Sequence, residues 1–293
     1  MTVIRPRRSA LYMPGSNARA LDKAKTLPAD ALILDLEDSV APDLKAAARG
    51  QACAAVAGGG YGGRELVIRI NALDTPWGEA DLAAAVAAAP DAILVPKVSS
   101  AEALAAVGLR LRKLGAAERT RVWAMIETPQ AILDAGSIAS AAHDVDTRLS
   151  CLVMGTNDLA KDTRARLLPG RAAMLPWLMT ALAAARSSGI DILDGVYNSL
   201  SDEAGFRAEC EQGRDCGFDG KTLIHPGQIA AANDIFAPSA QEVENARAIL
   251  AAFDRPENRP KGAISLDGRM VERLHADMAR RTVALAEAIA ERS

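Results

Sequence analysis

Two stretches decide the fold: Val122-Trp123-Ala124-Met125-Ile126-Glu127-Thr128 and Cys151-Leu152-Val153-Met154-Gly155-Thr156-Asn157-Asp158. Each contains an apolar run short enough for a buried strand, and each places a carboxylate at or just past the run's carboxyl end. In parallel α/β proteins those ends carry the active site. Glu127 and Asp158 therefore read as convergent oxygen ligands for a hard divalent cation. Mg²⁺ fits best, because it uses only one or two protein carboxylates and keeps positions open for a chelating substrate. The alternative is that each acid caps the helix after it or pairs with a lysine.

Working outward, six more runs complete a regular series: Ser9–Met13, Ala31–Leu36, Leu66–Ile70, Ala92–Val95, Ile190–Leu193 and Thr222–Ile224. Helical stretches fall between most of them, at 43–57, 80–89, 101–114, 129–142, 172–187 and 202–216. Strand alternating with helix implies a parallel sheet. Eight such units with no break imply a closed (β/α)₈ TIM barrel, with a doubly wound open sheet as the other solution. The barrel is assigned to residues 1–236 and a C-terminal helical lid extension to 237–293. Within that extension Ser239 and Glu242 form a capping-box pattern. Residues 254–261 read as a polar hinge, 262–270 as a loop, and 272–292 as a final amphipathic helix. Such a tail serves as a lid or a subunit-exchanging arm, or packs on the barrel wall.

Composition narrows the class. The chain has 293 residues, 49% of them apolar, and a formal net charge of −3. That is enough for a full barrel core, and the slight negative charge argues against nucleic acid as a partner. No apolar run reaches the length of a membrane span, and the basic N-terminus lacks the apolar region of a signal peptide. Cys53, Cys151, Cys210 and Cys216 show neither zinc nor redox spacing, as expected of buried thiols in a cytoplasmic protein.

Further strand ends carry charge. Asp35-Leu36-Glu37-Asp38 closes the second strand, and three acids there need a cation to answer them. Glu37 or Asp38 can hold metal-bound water. Arg69 shares a face with Val67 and points inward at the mouth of the barrel. There it binds a carboxylate or an enolate oxygen, or pairs with the Asp35–Asp38 cluster. Lys97 ends the fourth strand, either as a Schiff-base lysine or as an ion-pair partner in an acidic mouth. The first strand runs into Tyr12-Met13-Pro14-Gly15-Ser16-Asn17, followed by Arg19, Lys23 and Lys25. A capped helix start with basic side chains suits a polyphosphate ligand such as coenzyme A, or is simply a solvated basic face. His225 reads as a loop anchor or an acid/base group.

Ten segments, in order, then complete a pattern. They are Arg8–Asn17, Asp35–Asp38, Arg69–Asn71, Pro96–Val98, Ile126–Thr128, Gly155–Leu159, Asp194–Tyr197, Gly217–Lys221, Ile224–Pro226 and Asp267–Met270. Over nearly its whole length the chain resembles the citrate lyase beta-subunit-like family, with its malyl-CoA and citramalyl-CoA lyases, within the HpcH/HpaI aldolase superfamily. The resemblance implies a Mg²⁺-dependent carbon–carbon lyase that turns a CoA thioester into acetyl-CoA or propionyl-CoA and a 2-keto acid. Thioester hydrolysis is a close variant. It implies Glu127 and Asp158 as metal ligands and Arg69 as the oxyanion stabiliser. It also implies Glu127, Gly155, Thr156 and Asn157 beside the substrate, and Tyr12, Pro14, Asn17, Arg19 and Lys23 around CoA. A homotrimer or hexamer is expected, in which one subunit's tail delivers a catalytic carboxylate to a neighbour's barrel. That acid is usually Asp; this chain has Glu272 at the matching position, with Asp267 as the alternative. Two other readings remain: a citrate lyase beta subunit acting on an acyl-carrier-protein thioester, and a non-catalytic acyl-CoA-binding protein.

Overall fold

The computed structural model describes residues 4–292. Eight parallel strands close into a barrel in simple sequence order: β1 (Ser9–Pro14), β2 (Ala31–Asp35), β3 (Glu65–Arg69), β4 (Ala92–Val95), β5 (Arg121–Ile126), β6 (Leu149–Met154), β7 (Asp191–Asp194) and β8 (Gly220–Leu223). The ring shuts where Ser9, Ala10 and Leu11 of β1 register with Lys221, Thr222 and Leu223 of β8. The eight apolar runs are all strands, with ends moved by one or two residues. The open-sheet alternative is excluded.

The helices between the strands are α1 (Ala18–Lys23), α2 (Lys45–Gly58), α3 (Gly78–Ala88), α4 (Ala101–Lys113), α5 (Pro129–Leu133), α6 (Ala135–Ser140), α7 (Thr156–Thr163), α8 (Leu175–Ser187) and α9 (Glu203–Cys216). After β8 come α10 (Ile229–Ile235), α11 (Ala240–Asp254) and α12 (Arg273–Ala290). The expected helix over 129–142 is broken into α5, α6 and a 3₁₀ turn, and α7 arises directly behind β6.

Period-two alternation places the site. Ala10, Ile33, Val67, Leu94, Trp123, Met125, Val153 and Leu193 point into the barrel and form one buried cluster. Two residues further along their strands, the next inward positions are Asp35, Arg69, Glu127 and Gly155. The interior therefore changes from apolar to charged in one layer, at the carboxyl ends. At the opposite end Arg7 closes the barrel: it donates to Glu65 and Asp191 and lies 5.0 Å over the Trp123 ring.

The chain divides into two compact units. One is Arg7–Asn233, the barrel; the other takes in the described residues before Arg7 and after Asn233. In the second unit Ser239 caps α11 in a full capping box with Glu242, as its spacing predicts. The expected loop over 262–270 is instead a hairpin, β9 (Ala263–Leu266) paired antiparallel with β10 (Arg269–Glu272). Its two-residue turn is Asp267-Gly268, both at positive φ (49° and 76°). That is the backbone a type I′ turn demands, and Asp-Gly is among the strongest sequence signals for it. Ile264 and Val271 from the hairpin pack with Phe253 and Ala276 of the two helices, which is why the segment is ordered as sheet.

Candidate active site

The acidic run after β2 is held by two cations. Asp35 is buried and accepts from Arg69 Nε at 2.6 Å and Nη2 at 2.7 Å, a bidentate fork that fixes the guanidinium plane. Its oxygens also accept the backbone N–H groups of Glu37 and Ser39. Burial alone would raise the Asp35 pKa; the arginine beside it outweighs burial and holds it below the ordinary carboxylate value. The register puts Asp35 abreast of Arg69, so neighbouring strands build this pair. Buried Lys45 donates to the carbonyls of Leu36 and Glu37 and to Asn71 Oδ1, which fixes the turn beyond Asp35.

The remaining Arg69 nitrogen, Nη1, faces the barrel mouth. It lies 2.8 Å from Glu37 Oε2 and 3.3 Å from Asp38 Oδ2. The Glu37 approach lacks hydrogen-bond alignment and leaves that buried oxygen unsatisfied. Burial pushes Glu37 up to about 8 against the pull of Arg69. The Tyr12 ring backs the guanidinium at 4.8 Å. Arg69 is thus the ion-pair partner of the Asp35–Asp38 cluster, with its Nε edge on Asp35 and its Nη1 turned to Glu37 and Asp38.

Glu127 and Asp158 come together as their positions just past β5 and behind β6 require. Glu127 is almost fully buried, and Asp158, in the first turn of α7, is partly exposed. The two carboxyl groups share one cationic neighbour. Lys97 Nζ lies 3.0 Å from Asp158 Oδ1 and 3.4 Å from Glu127 Oε2, and the Lys97 backbone N–H donates to Glu127 Oε1 at 2.7 Å. Burial drives the Glu127 pKa up; Asp158, helped by its hydrogen bond from Lys97, stays below its ordinary value. The cation that answers these two carboxylates here is the Lys97 ammonium.

The donor set fits Mg²⁺. Among the described residues no three or more His, Cys, Asp or Glu cluster as a metal cage would need. Two carboxylate oxygens at a mouth, with Glu37 and Asp38 across it, match an ion that keeps most of its water. Gly155 makes room for this arrangement: a Cβ there would stand 2.3 Å from Glu127 Cβ and 2.9 Å from its Oε2. Thr156 is buried behind it, whereas Asn157 is exposed and exchanges amide hydrogen bonds with Asn198 at 3.2 and 2.7 Å.

The other expected site residues separate. Asn17 caps α1 through Ala20 N, and Arg19 and Lys23 are exposed on that helix. Pro14 ends β1 beside Asp35, and Tyr12 belongs to the barrel interior. His225 caps the 3₁₀ turn after β8 through Gly227 N, the loop-anchor reading. In the tail unit Asp267 sits in the exposed hairpin turn. Glu272 caps α12: its side chain accepts from the His275 backbone, and His275 Nδ1 accepts from Glu272 N. Sequence reading missed the role of Lys97's backbone, whose left-handed φ of 54° has no sequence signal in a lysine.

The chain is similar to known proteins over most of its length. A family model described as HpcH/HpaI aldolase/citrate lyase matches residues 8–226. The chain is 52% identical to a (3S)-malyl-CoA thioesterase of Cereibacter sphaeroides over 285 residues, 97% of this chain and 96% of the relative. It is 37% identical to the citrate lyase subunit beta of Escherichia coli over 288 residues, 97% and 94% of the two chains. Among solved structures it is similar to the CitE protein of Mycobacterium tuberculosis in complex with magnesium, acetoacetate and coenzyme A. The TM-score is 0.76 and the identity 28%, covering 97% of this chain and all of that one.

Proposed function

The chain belongs to the HpcH/HpaI aldolase/citrate lyase family, and from that premise we propose that it is a Mg²⁺-dependent lyase of malyl-CoA- or citramalyl-CoA-type thioesters. The observation that carries this reading is the meeting of Glu127 and Asp158 at one cation position, with Arg69 Nη1 at the same mouth. The magnesium in the CitE complex supports the choice of ion.

Glu127 and Asp158 hold the ion. Bound there, Mg²⁺ supplies Lewis acidity toward the carboxylate and hydroxyl or keto oxygens of a substrate. The chain does the rest. Arg69, locked by Asp35, presents Nη1 to the oxygen on which negative charge grows as the bond between the hydroxyl-bearing carbon and the thioester α-carbon breaks. The hydroxyl group gives its proton to a carboxylate at the mouth as its oxygen becomes the keto oxygen, the electron pair of the broken bond passes to the thioester as an enolate, and a carboxyl group returns a proton to the α-carbon. Gly155 and Thr156 line the keto-acid side. Tyr12–Asn17, Arg19 and Lys23 hold CoA. The proton donor is a tail carboxylate, Glu272 or Asp267, delivered from a neighbouring subunit of a homotrimer or hexamer in a reducing cytosol. All four cysteines are free thiols, which agrees with that compartment.

A second reading is favoured by the 52% identical relative: water attacks the thioester carbonyl carbon of the intact substrate and CoA leaves as the free thiol, with the carbon–carbon bond kept, so the net reaction is hydrolysis. One experiment separates the two. The protein is incubated with malyl-CoA, citramalyl-CoA or citryl-CoA, with Mg²⁺ or with EDTA, and keto acid and free thiol are followed together. Keto acid without free thiol is lyase chemistry, and free CoA is hydrolysis. Neither product from any substrate in Mg²⁺ would sink the proposal.

Glu272 has a structural duty as a helix cap, so its replacement needs a matched pair. Glu272→Gln keeps an acceptor for His275 N, and is expected to slow turnover by about 10²-fold, the ordinary worth of a general acid, with Mg²⁺ affinity unchanged. Full activity in Glu272→Gln and its loss in Asp267→Asn would transfer the role to Asp267.

A further inference from the structure

We infer that Lys97 is a resident stand-in cation that occupies the Glu127–Asp158 pair until Mg²⁺ displaces it. The inference rests on the reading of those two residues as the metal pair. Three features of one residue converge. The Lys97 ammonium sits at both carboxylates, 3.0 Å from Asp158 Oδ1 and 3.4 Å from Glu127 Oε2. The Lys97 main-chain N–H separately holds Glu127 Oε1 at 2.7 Å. Its backbone is left-handed, φ 54°, a conformation that a long side chain adopts only when the surroundings impose it.

These features divide the work. The backbone N–H fixes Glu127 whatever the side chain does. The ammonium answers the charge of a buried carboxylate that would otherwise face another carboxylate unscreened. The side chain is partly exposed, 38%, and four methylenes long, so it can swing out. A Mg²⁺ ion takes carboxylate oxygens at about 2.1 Å, so an ion on Asp158 Oδ1 would lie within about 5 Å of the ammonium in its present place. A unit charge at that distance opposes the ion strongly. Loading of the metal and release of Lys97 are therefore one exchange, and the protein without metal keeps its ligands together.

The test measures binding, not turnover. Mg²⁺ titration by calorimetry is compared in the wild type, Lys97→Met and Lys97→Arg, with Asp158→Asn as the control that locates the ion. Lys97→Met keeps the backbone N–H and most of the stem. It is expected to bind Mg²⁺ about tenfold tighter, since a neighbouring positive charge has gone; Lys97→Arg is not. Unchanged or weaker binding by Lys97→Met overturns the inference while leaving the metal site intact. Failure of the wild type to bind Mg²⁺, or binding undiminished in Asp158→Asn, removes the metal reading itself and the inference with it. The second arm needs no variant. Acetylation of Lys97 in the wild-type protein, read by peptide mass spectrometry, is expected to run severalfold faster in Mg²⁺ than in EDTA, with exposed Lys113 as reference. Equal rates at Lys97 overturn the exchange.

Discussion

Asp194→Ala is expected to destabilise the barrel by about 3–5 kcal/mol, the usual consequence of removing one partner from a buried ionic network. Asp194 ends β7 with no exposed surface. It accepts from Arg171 Nη1 at 2.7 and 2.9 Å and from Lys221 Nζ at 2.8 Å, and Lys221 is itself fully buried. Glu209 of α9 supplies the second negative charge, at 2.7 Å from Lys221. Two cations and two carboxylates thus balance between β7, β8, α9 and the segment before α8. Without Asp194 one positive charge is uncompensated in the interior, and Arg171, already carrying an unsatisfied Nη2, loses its main anchor. Glu209→Gln, at a more exposed position, is expected to be milder. Denaturant unfolding of the three proteins checks the order, and equal stability of Asp194→Ala and wild type would contradict it.

The acid limb of the same experiment has a defined sign. Burial would raise the Asp194 pKa, but Lys221 and Arg171 outweigh it and hold the folded value below the ordinary one. A depressed folded pKa gives stability that is complete above the unfolded carboxylate's value, about 3.9, and is lost as the pH falls through the lower folded value. The gap between wild type and Asp194→Ala should be flat through neutral pH and narrow only below about pH 4.

This network also marks where sequence reading stops. The strands were legible because a buried parallel strand is an apolar run, and Val122–Ile126 or Ala92–Val95 can be little else. Arg69 and Glu127 were legible because period two carries the inward face of their strands one step past the apolar core. Asp194, Lys221, Arg171 and Glu209 were not, because their contacts join residues from different strands, helices and loops, far apart in sequence, and no local pattern encodes them. The helix α7 carries little signal because Thr156–Thr163 is short and polar and begins two residues past the strand end at Met154. The Asp267-Gly268 hairpin has a sequence signal of its own, since Ala263–Leu266 and Arg269–Glu272 flank a type I′ dipeptide. What hid it was the polar stretch before it, which reads as continuous loop.

Arg69 carries the largest expected effect on catalysis, and two substitutions divide its duties. Arg69→Met removes the guanidinium that grips Asp35 and leaves a buried carboxylate facing Glu37. It should cost about 3–5 kcal/mol of stability, and its inactivity would say little by itself. Arg69→Lys is the informative change. A lysine keeps the charge near Asp35 and so most of the fold, but it has no planar fork, and cannot grip Asp35 and aim a second nitrogen at the mouth together. If Nη1 stabilises the developing oxyanion, Arg69→Lys loses on the order of 10²–10³-fold in kcat, as removal of one oxyanion donor does. Its melting temperature and Mg²⁺ affinity should stay close to wild type, because Glu127 and Asp158 are held by Lys97 and not by Arg69. Because the lost interaction belongs to the transition state, kcat and kcat/KM should fall together while KM holds. A rise in KM alone would make Arg69 a substrate-carboxylate clamp. An active, unstable Arg69→Lys would reduce it to the partner of Asp35.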